Sequence, residues 1–282
     1  MRLILQAAGC VLSLAIAVGV ANPAATAAAG QNALDESQSK AKQLVQQTIT
    51  ALGGDAYLSA RDVDCSGRLA QFARNGAVAG YVELRDLWLL PDKNRKEFTS
   101  KGSMLIAGYV LGQGVAKGGA IIQVFNGDQG WLRDKGGVSD QPEDAIRNFA
   151  EQSKSSMDHF LRARLNEPGL TMRYTGQDVL DLKPAEWIEF TDRDHRVFRL
   201  AVEQSSHLPL RWVVVTRDPK TRERDEAVTG YTQFITADGI RTPLKISRSQ
   251  NDRELYQIFW TGCRYNSDVS PEMFTKAGLE RH

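Results

Sequence analysis

Ala185-Glu-Trp-Ile-Glu-Phe-Thr191, then Asp192-Arg-Asp194, then Val197-Phe-Arg-Leu-Ala-Val-Glu203, is the stretch whose reading decides the fold. Two strand-length runs of β-branched and aromatic residues are separated by a few turn formers. The pattern continues through Leu210–Arg217, Asp225–Phe234, Leu244–Ser249 and Glu254–Tyr265, and Leu170–Thr175 precedes it. The links Asp218-Pro219-Lys220, Asp238-Gly239 and Asn251-Asp252 are too short for a helical crossover. Consecutive strands so joined form an antiparallel meander.

Upstream, Val63–Phe72 and Ala79–Leu90 read as a hairpin around Asn75-Gly76, with a further strand near Asn94–Ser100. Ile121–Asn126 and Gly130–Arg133 flank a second turn, Asn126-Gly127-Asp128. Two helices interrupt the strands. Ala41, Leu44, Val45, Thr48, Ile49 and Leu52 recur at helical spacing, and Gly53-Gly54 ends a helix over residues 35–52. Ile146, Phe149, Met157, Phe160, Leu161 and Leu165 form a second stripe within 140–166, behind the capping pair Asp140 and Glu143. The expected class is mostly β (α+β), a large curved antiparallel sheet with two amphipathic helices in one domain, residues 30–282.

Residues 1–29 read as a signal peptide. Arg2 precedes an apolar run from Leu3 to Val20, and Ala25-Thr26-Ala27 and Ala27-Ala28-Ala29 satisfy the small-x-small cleavage rule. A retained anchor is the alternative, and Ala7-Ala8-Gly9-Cys10 resembles a lipidation box at Cys10. The expectation is an exported, periplasmic protein. The 282 residues are 42% apolar and 24% charged with a net charge of +1, which excludes a disordered chain and argues against a nucleic-acid partner. After cleavage two cysteines remain, Cys65 and Cys263. In an oxidising compartment they either pair, joining the first strand to the last, or stay as separately buried thiols.

Catalytic signatures are missing: there is no HExxH, no GxSxG and no phosphate loop in a strand-to-helix context. His159, His195 and His207 lack partners at metal-ligand spacing, so no metal or cofactor is expected. The charge-dense runs 192–196 and 220–226 read as solvated hairpin tips. An enzyme has no residue set to stand on. Aromatics are instead spread over nearly every strand, either to fill a core or to line a cavity for an apolar ligand. The segment 102–119 carries six glycines and one charge around Met104, Leu105, Tyr109 and Leu111. It is either a plain loop or a hydrophobic flap.

Taken together, Ala51-Leu-Gly-Gly54, Val63-Asp-Cys-Ser-Gly67, Phe125-Asn-Gly-Asp-Gln-Gly-Trp131, Leu165-Asn-Glu-Pro-Gly169, Asp218-Pro-Lys-Thr-Arg222, Asp238-Gly-Ile-Arg-Thr-Pro243 and Tyr265-Asn266 resemble the LolA-like superfamily of exported bacterial proteins, over most of residues 40–275. The resemblance implies an unclosed antiparallel β-barrel with helices as a lid over a hydrophobic cavity. It implies no enzyme and no cofactor. The function implied is a periplasmic binding or carrier protein for lipids or lipoprotein acyl chains. Its partners would be a lipid or acylated lipoprotein, with transient contacts to envelope membrane proteins. The alternative is an envelope sensor or protein-interaction module using the sheet surface or the 102–119 flap. No lid-latching arginine is assigned by the resemblance. Strand alternation nominates Trp88, Phe125, Phe198 and Phe259 as the cavity lining.

Overall fold

The structure, a computed structural model, describes residues 23–105, 115–217 and 220–281. The expected leader lies outside the described residues up to residue 22. The chain divides into two compact units, Met1–Glu36 and Ser37–His282. In the first, the described residues from Pro23 onward are helical, so helix α1 (Pro23–Leu52) begins well before the expected residue 35.

The second unit is one thirteen-stranded antiparallel sheet. Its strands are β1 (Asp62–Phe72), β2 (Val78–Leu89), β3 (Lys93–Leu105), β4 (Val115–Asn126), β5 (Gln129–Asp134), β6 (Gly137–Asp140), β7 (Thr171–Leu180), β8 (Lys183–Thr191), β9 (Val197–Glu203), β10 (Pro209–Arg217), β11 (Arg224–Ala237), β12 (Ile240–Gln250) and β13 (Arg253–Tyr265). Two meanders, β1 to β6 and β7 to β13, meet where β1 pairs with β13, leaving β6 and β7 as unpaired edges. The sheet is therefore an open barrel. One segment links the two edges: α3 (Glu143–Lys154), α4 (Met157–His159) and a π-helical turn, Phe160–Arg164.

The seam between the meanders is tied on both faces. Cys65 lies opposite Cys263 with Cα atoms 4.1 Å apart, and their sulfurs are bonded. From the other face of β1, Asp64 accepts from Arg85 of β2 at 3.0 Å and Arg264 of β13 at 2.7 Å. The Arg85 hydrogen bonds lower the Asp64 carboxyl below its ordinary range against the opposing effect of burial, and Arg264 adds to this.

From Ser37 onward α1 lays Ala41, Leu44, Val45, Thr48, Ile49 and Leu52 on the sheet, all buried, at roughly 2 kcal/mol for each large apolar side chain. Gly53, at φ +131°, ends the helix where a Cβ would stand 2.7 Å from the Gly239 carbonyl oxygen. Only glycine lets this helix end sit so close to the β11–β12 turn.

The π-turn supplies the plug of the β8–β10 half. Phe160 meets Phe190 at 5.0 Å, Phe198 at 4.9 Å and Trp212 at 5.1 Å, and the Trp212 indole donates to the Ser155 carbonyl at 2.8 Å. Arg164 is buried beside Phe160 and Phe198, reaching Asp192 at 3.1 Å and Glu167 at 2.9 Å. Of the expected solvated tip at 192–196, Arg193, Asp194 and His195 are exposed, but Asp192 is a correction: it is buried and also accepts from the Asp194 and Arg196 amides at 3.0 and 2.9 Å.

The chain end adds an element that periodicity did not reveal. A 3₁₀ turn, Pro271–Phe274, and α5, Lys276–Glu280, bury Phe274 and Leu279 against Leu87, Ile122, Val124 and Trp131.

Candidate functional site

A cavity of about 250 Å³ lies between the helical link and the centre of the sheet. Its floor follows from strand pairing. Val63 of β1 is flanked by Trp88 of β2 and Tyr265 of β13, and Cys65 is flanked by Asp86 and Cys263. Tyr231 and Phe234 of β11 and Ile246 of β12 extend the apolar wall. The roof is Met157, Asp158, His159, Arg162 and Ala163, with Leu52 and Tyr57 at one side. Tyr57 belongs to α2 (Asp55–Leu58) and is buried there.

The π-turn faces two ways. Phe160, Leu161 and Arg164 turn to the packed half, whereas Arg162 and Ala163 turn to the cavity. Widening the helix by one residue re-phases its side chains over this short span. The preceding helix α3 is held more lightly. It buries no residue completely, and Phe149 stacks on Phe125 at 4.1 Å and on Trp88 at 5.8 Å.

The polar groups on the wall have specific environments. The Tyr57 hydroxyl donates to Asp158 at 2.9 Å, and burial holds its pKa well above that of a free phenol. Burial raises Tyr231 likewise and pushes Tyr265 up to about 12, although the Thr242 hydroxyl, 2.9 Å away, acts in the opposite direction. Burial lowers His159, favouring neutral imidazole, and the Arg164 charge adds to this. Desolvation raises the Asp86 carboxyl despite Lys96 nearby and the Asn94 amide at 2.7 Å. Arg162 lies 3.9 Å over the Tyr57 ring and donates to the Tyr57 carbonyl. The Nε atoms of Arg162 and Arg241, both on the cavity wall, are buried without a hydrogen-bond partner. Among the described residues no cluster of His, Cys, Asp and Glu could hold a metal ion.

Of the four residues nominated from strand alternation, Trp88 lines the cavity. Phe125 faces the same side but is sealed beneath Phe149 of α3. Phe198 is fully buried in the packed half. Phe259 points the other way, 36% exposed, with the Lys245 ammonium 5.5 Å from its ring. The physical reason is a β-bulge. Gly262 pairs with Ser66 and Trp260 with Gly67, leaving Thr261 as the extra residue. Counting back by twos from Tyr265 and Cys263 puts Phe259 inside, but the bulge shifts the phase and puts Trp260 there. Much of the expected glycine-rich loop is strand instead. Ser103, Met104 and Leu105 pair with Lys117, Ala116 and Val115, while Tyr109 and Leu111 lie outside the described residues. Sequence reasoning missed Arg162 and Arg241, whose signal is weak. One is the first of two arginines in the helical run Phe160-Leu-Arg-Ala-Arg164, the other a lone cation between Ile240 and Thr242.

Comparison with known proteins defines a class by fold. No protein-family model and no curated protein matches this chain. Among solved structures, a DUF1329 family protein from Desulfovibrio piger is 14% identical, covering 84% of this chain and 98% of that one, with a TM-score of 0.50. A structure described as an outer membrane lipoprotein-sorting protein domain, from Vibrio parahaemolyticus, is 12% identical over 88% and 99% of the two chains, also at 0.50. A LolA superfamily protein from Nitrosomonas europaea is 14% identical over 85% and 99%, again at 0.50. The chain has the LolA-like fold.

Proposed function

We propose that this protein is a non-enzymatic, periplasmic binding or carrier protein that takes up a lipid or a lipoprotein acyl chain in the cavity between the helical link and the sheet. The observation that carries the reading is the position of that cavity. It is walled by Val63, Trp88, Phe234, Ile246 and Trp260, and roofed by a segment whose α3 buries no residue completely. Transfer of methylenes from water to such a wall is favourable by about 0.8 kcal/mol each, so an acyl chain binds without a reactive group. The resemblance of the fold to a lipoprotein-sorting domain supports the same reading.

The test is titration of the delipidated protein with a fluorescent long-chain fatty acid. Saturable binding that Ile246→Trp abolishes, at unchanged circular dichroism, is the expected result. Absence of saturable binding, or full binding by the filled variant, contradicts the reading.

A further inference from the structure

The cavity wall carries two guanidinium groups that the fold leaves incompletely paired. Arg241 sits at the start of β12, where its backbone pairs with Thr236, and among the described residues no hydrogen bond or ion pair engages its side chain. Arg162 uses one nitrogen on the Tyr57 carbonyl and stacks over the Tyr57 ring, leaving Nε unpaired. A buried donor without an acceptor costs free energy, and two in one cavity point to a missing acceptor.

The rest of the wall does not supply it. Asp158 accepts from the Tyr57 hydroxyl, and among the described residues it forms no ion pair with either guanidinium. Asp86 accepts from the Asn94 amide and likewise forms no ion pair with either guanidinium among the described residues. Tyr57, Tyr231 and Tyr265 are held as neutral phenols and His159 as neutral imidazole. Capacity narrows the ligand further. At about 250 Å³ the space falls just below the usual range of roughly 300–1,000 Å³ for small-molecule pockets. It has room for one chain rather than several.

Resting on the proposed binding function, we infer that the cavity is built for a single-chain anionic amphiphile, whose carboxylate or phosphate head is received by Arg241 and Arg162 while its chain lies along Val63, Trp88 and Ile246. Guanidinium suits such heads because its planar fork matches two oxygens at once.

The experiment compares palmitate, hexadecyl phosphate and hexadecanol by displacement of a fluorescent fatty acid from the delipidated full chain. Sodium acetate and inorganic phosphate serve as chainless controls. A charge-assisted pair is expected to favour the two anions over the alcohol by at least about tenfold. Arg241→Met is expected to bring palmitate down to the affinity of the alcohol, and Arg241→Lys to restore part of the preference. If Arg241→Met fails to fold, the Lys variant and the ligand series carry the test. Equal binding of acid and alcohol overturns this inference while leaving the proposed function standing. So does a preference that survives Arg241→Met, or acetate or phosphate binding as tightly as palmitate. If no long-chain ligand binds, both fall.

Discussion

Two regions of the same sheet differ in what covers them. Over β8–β10, Phe160 fills the concave face against Phe190, Phe198 and Trp212, and Arg164 locks the helical link to Asp192. Over β1, β2, β12 and β13 the same link presents Arg162 and Ala163, and a cavity remains. Composition does not distinguish the regions, since each has its tryptophans and phenylalanines. What separates them is which residues of one short π-turn point each way. A packed half anchors the link, so the other half can stay open without unfolding.

Matched substitutions test this difference. Trp212→Ala, in the packed half, should lower unfolding free energy by about 4 kcal/mol, read from urea denaturation. A cost near that of a surface site would show the half to be loosely packed. Arg164→Met should cost about 2 kcal/mol, because the buried Asp192 loses one of its two arginine partners and keeps Arg196 at 2.8 Å. The pH dependence gives the sign. Burial alone raises the Asp192 carboxyl, but hydrogen bonds from Arg196 and Arg164 outweigh it and leave the pKa below the ordinary 3.8. Stability from this group is therefore whole above pH 3.8 and lost as pH falls through the lowered folded-state value. Acid denaturation should begin at higher pH in Arg164→Met than in the parent.

On the cavity wall the same kind of change should matter less for folding. Trp88→Ala is expected to cost about 1 kcal/mol, well under the range for packed aromatics, while weakening long-chain binding severalfold. A loss equal to that of Trp212→Ala would erase the contrast between the halves. Phe259→Ala, beyond the bulge, should shift stability by no more than about 0.5 kcal/mol and leave binding unaltered. A binding defect there would return Phe259 to the cavity side.

Much of this fold is legible in the sequence, and the rest escapes for definable reasons. The 3.6-residue stripe from Ala41 to Leu52 identifies the buried face of α1 because one continuous partner covers it. The short turn-forming links identify the meanders. Alternation fails at Thr261, because a bulge costs one residue and inverts every assignment beyond it. The C-terminal segment escapes because Phe274 and Leu279 are too few and too close to the chain end to show a period. Asp192 looks like a turn residue and is one, yet its burial depends on Arg164, which is 28 positions away. The cavity-side face of Trp88 is legible from strand alternation. Arg162 and Arg241 are not, because they share a wall only once β12 and the helical link enclose the same cavity.

The central claim is that the open region holds a lipid. Native mass spectrometry of the protein purified from its native cells, followed by solvent extraction, tests it most directly. The account predicts a bound species that leaves on extraction and proves to be a lipid or an acylated protein. A single apo mass, unchanged after incubation with lipid vesicles, would contradict it.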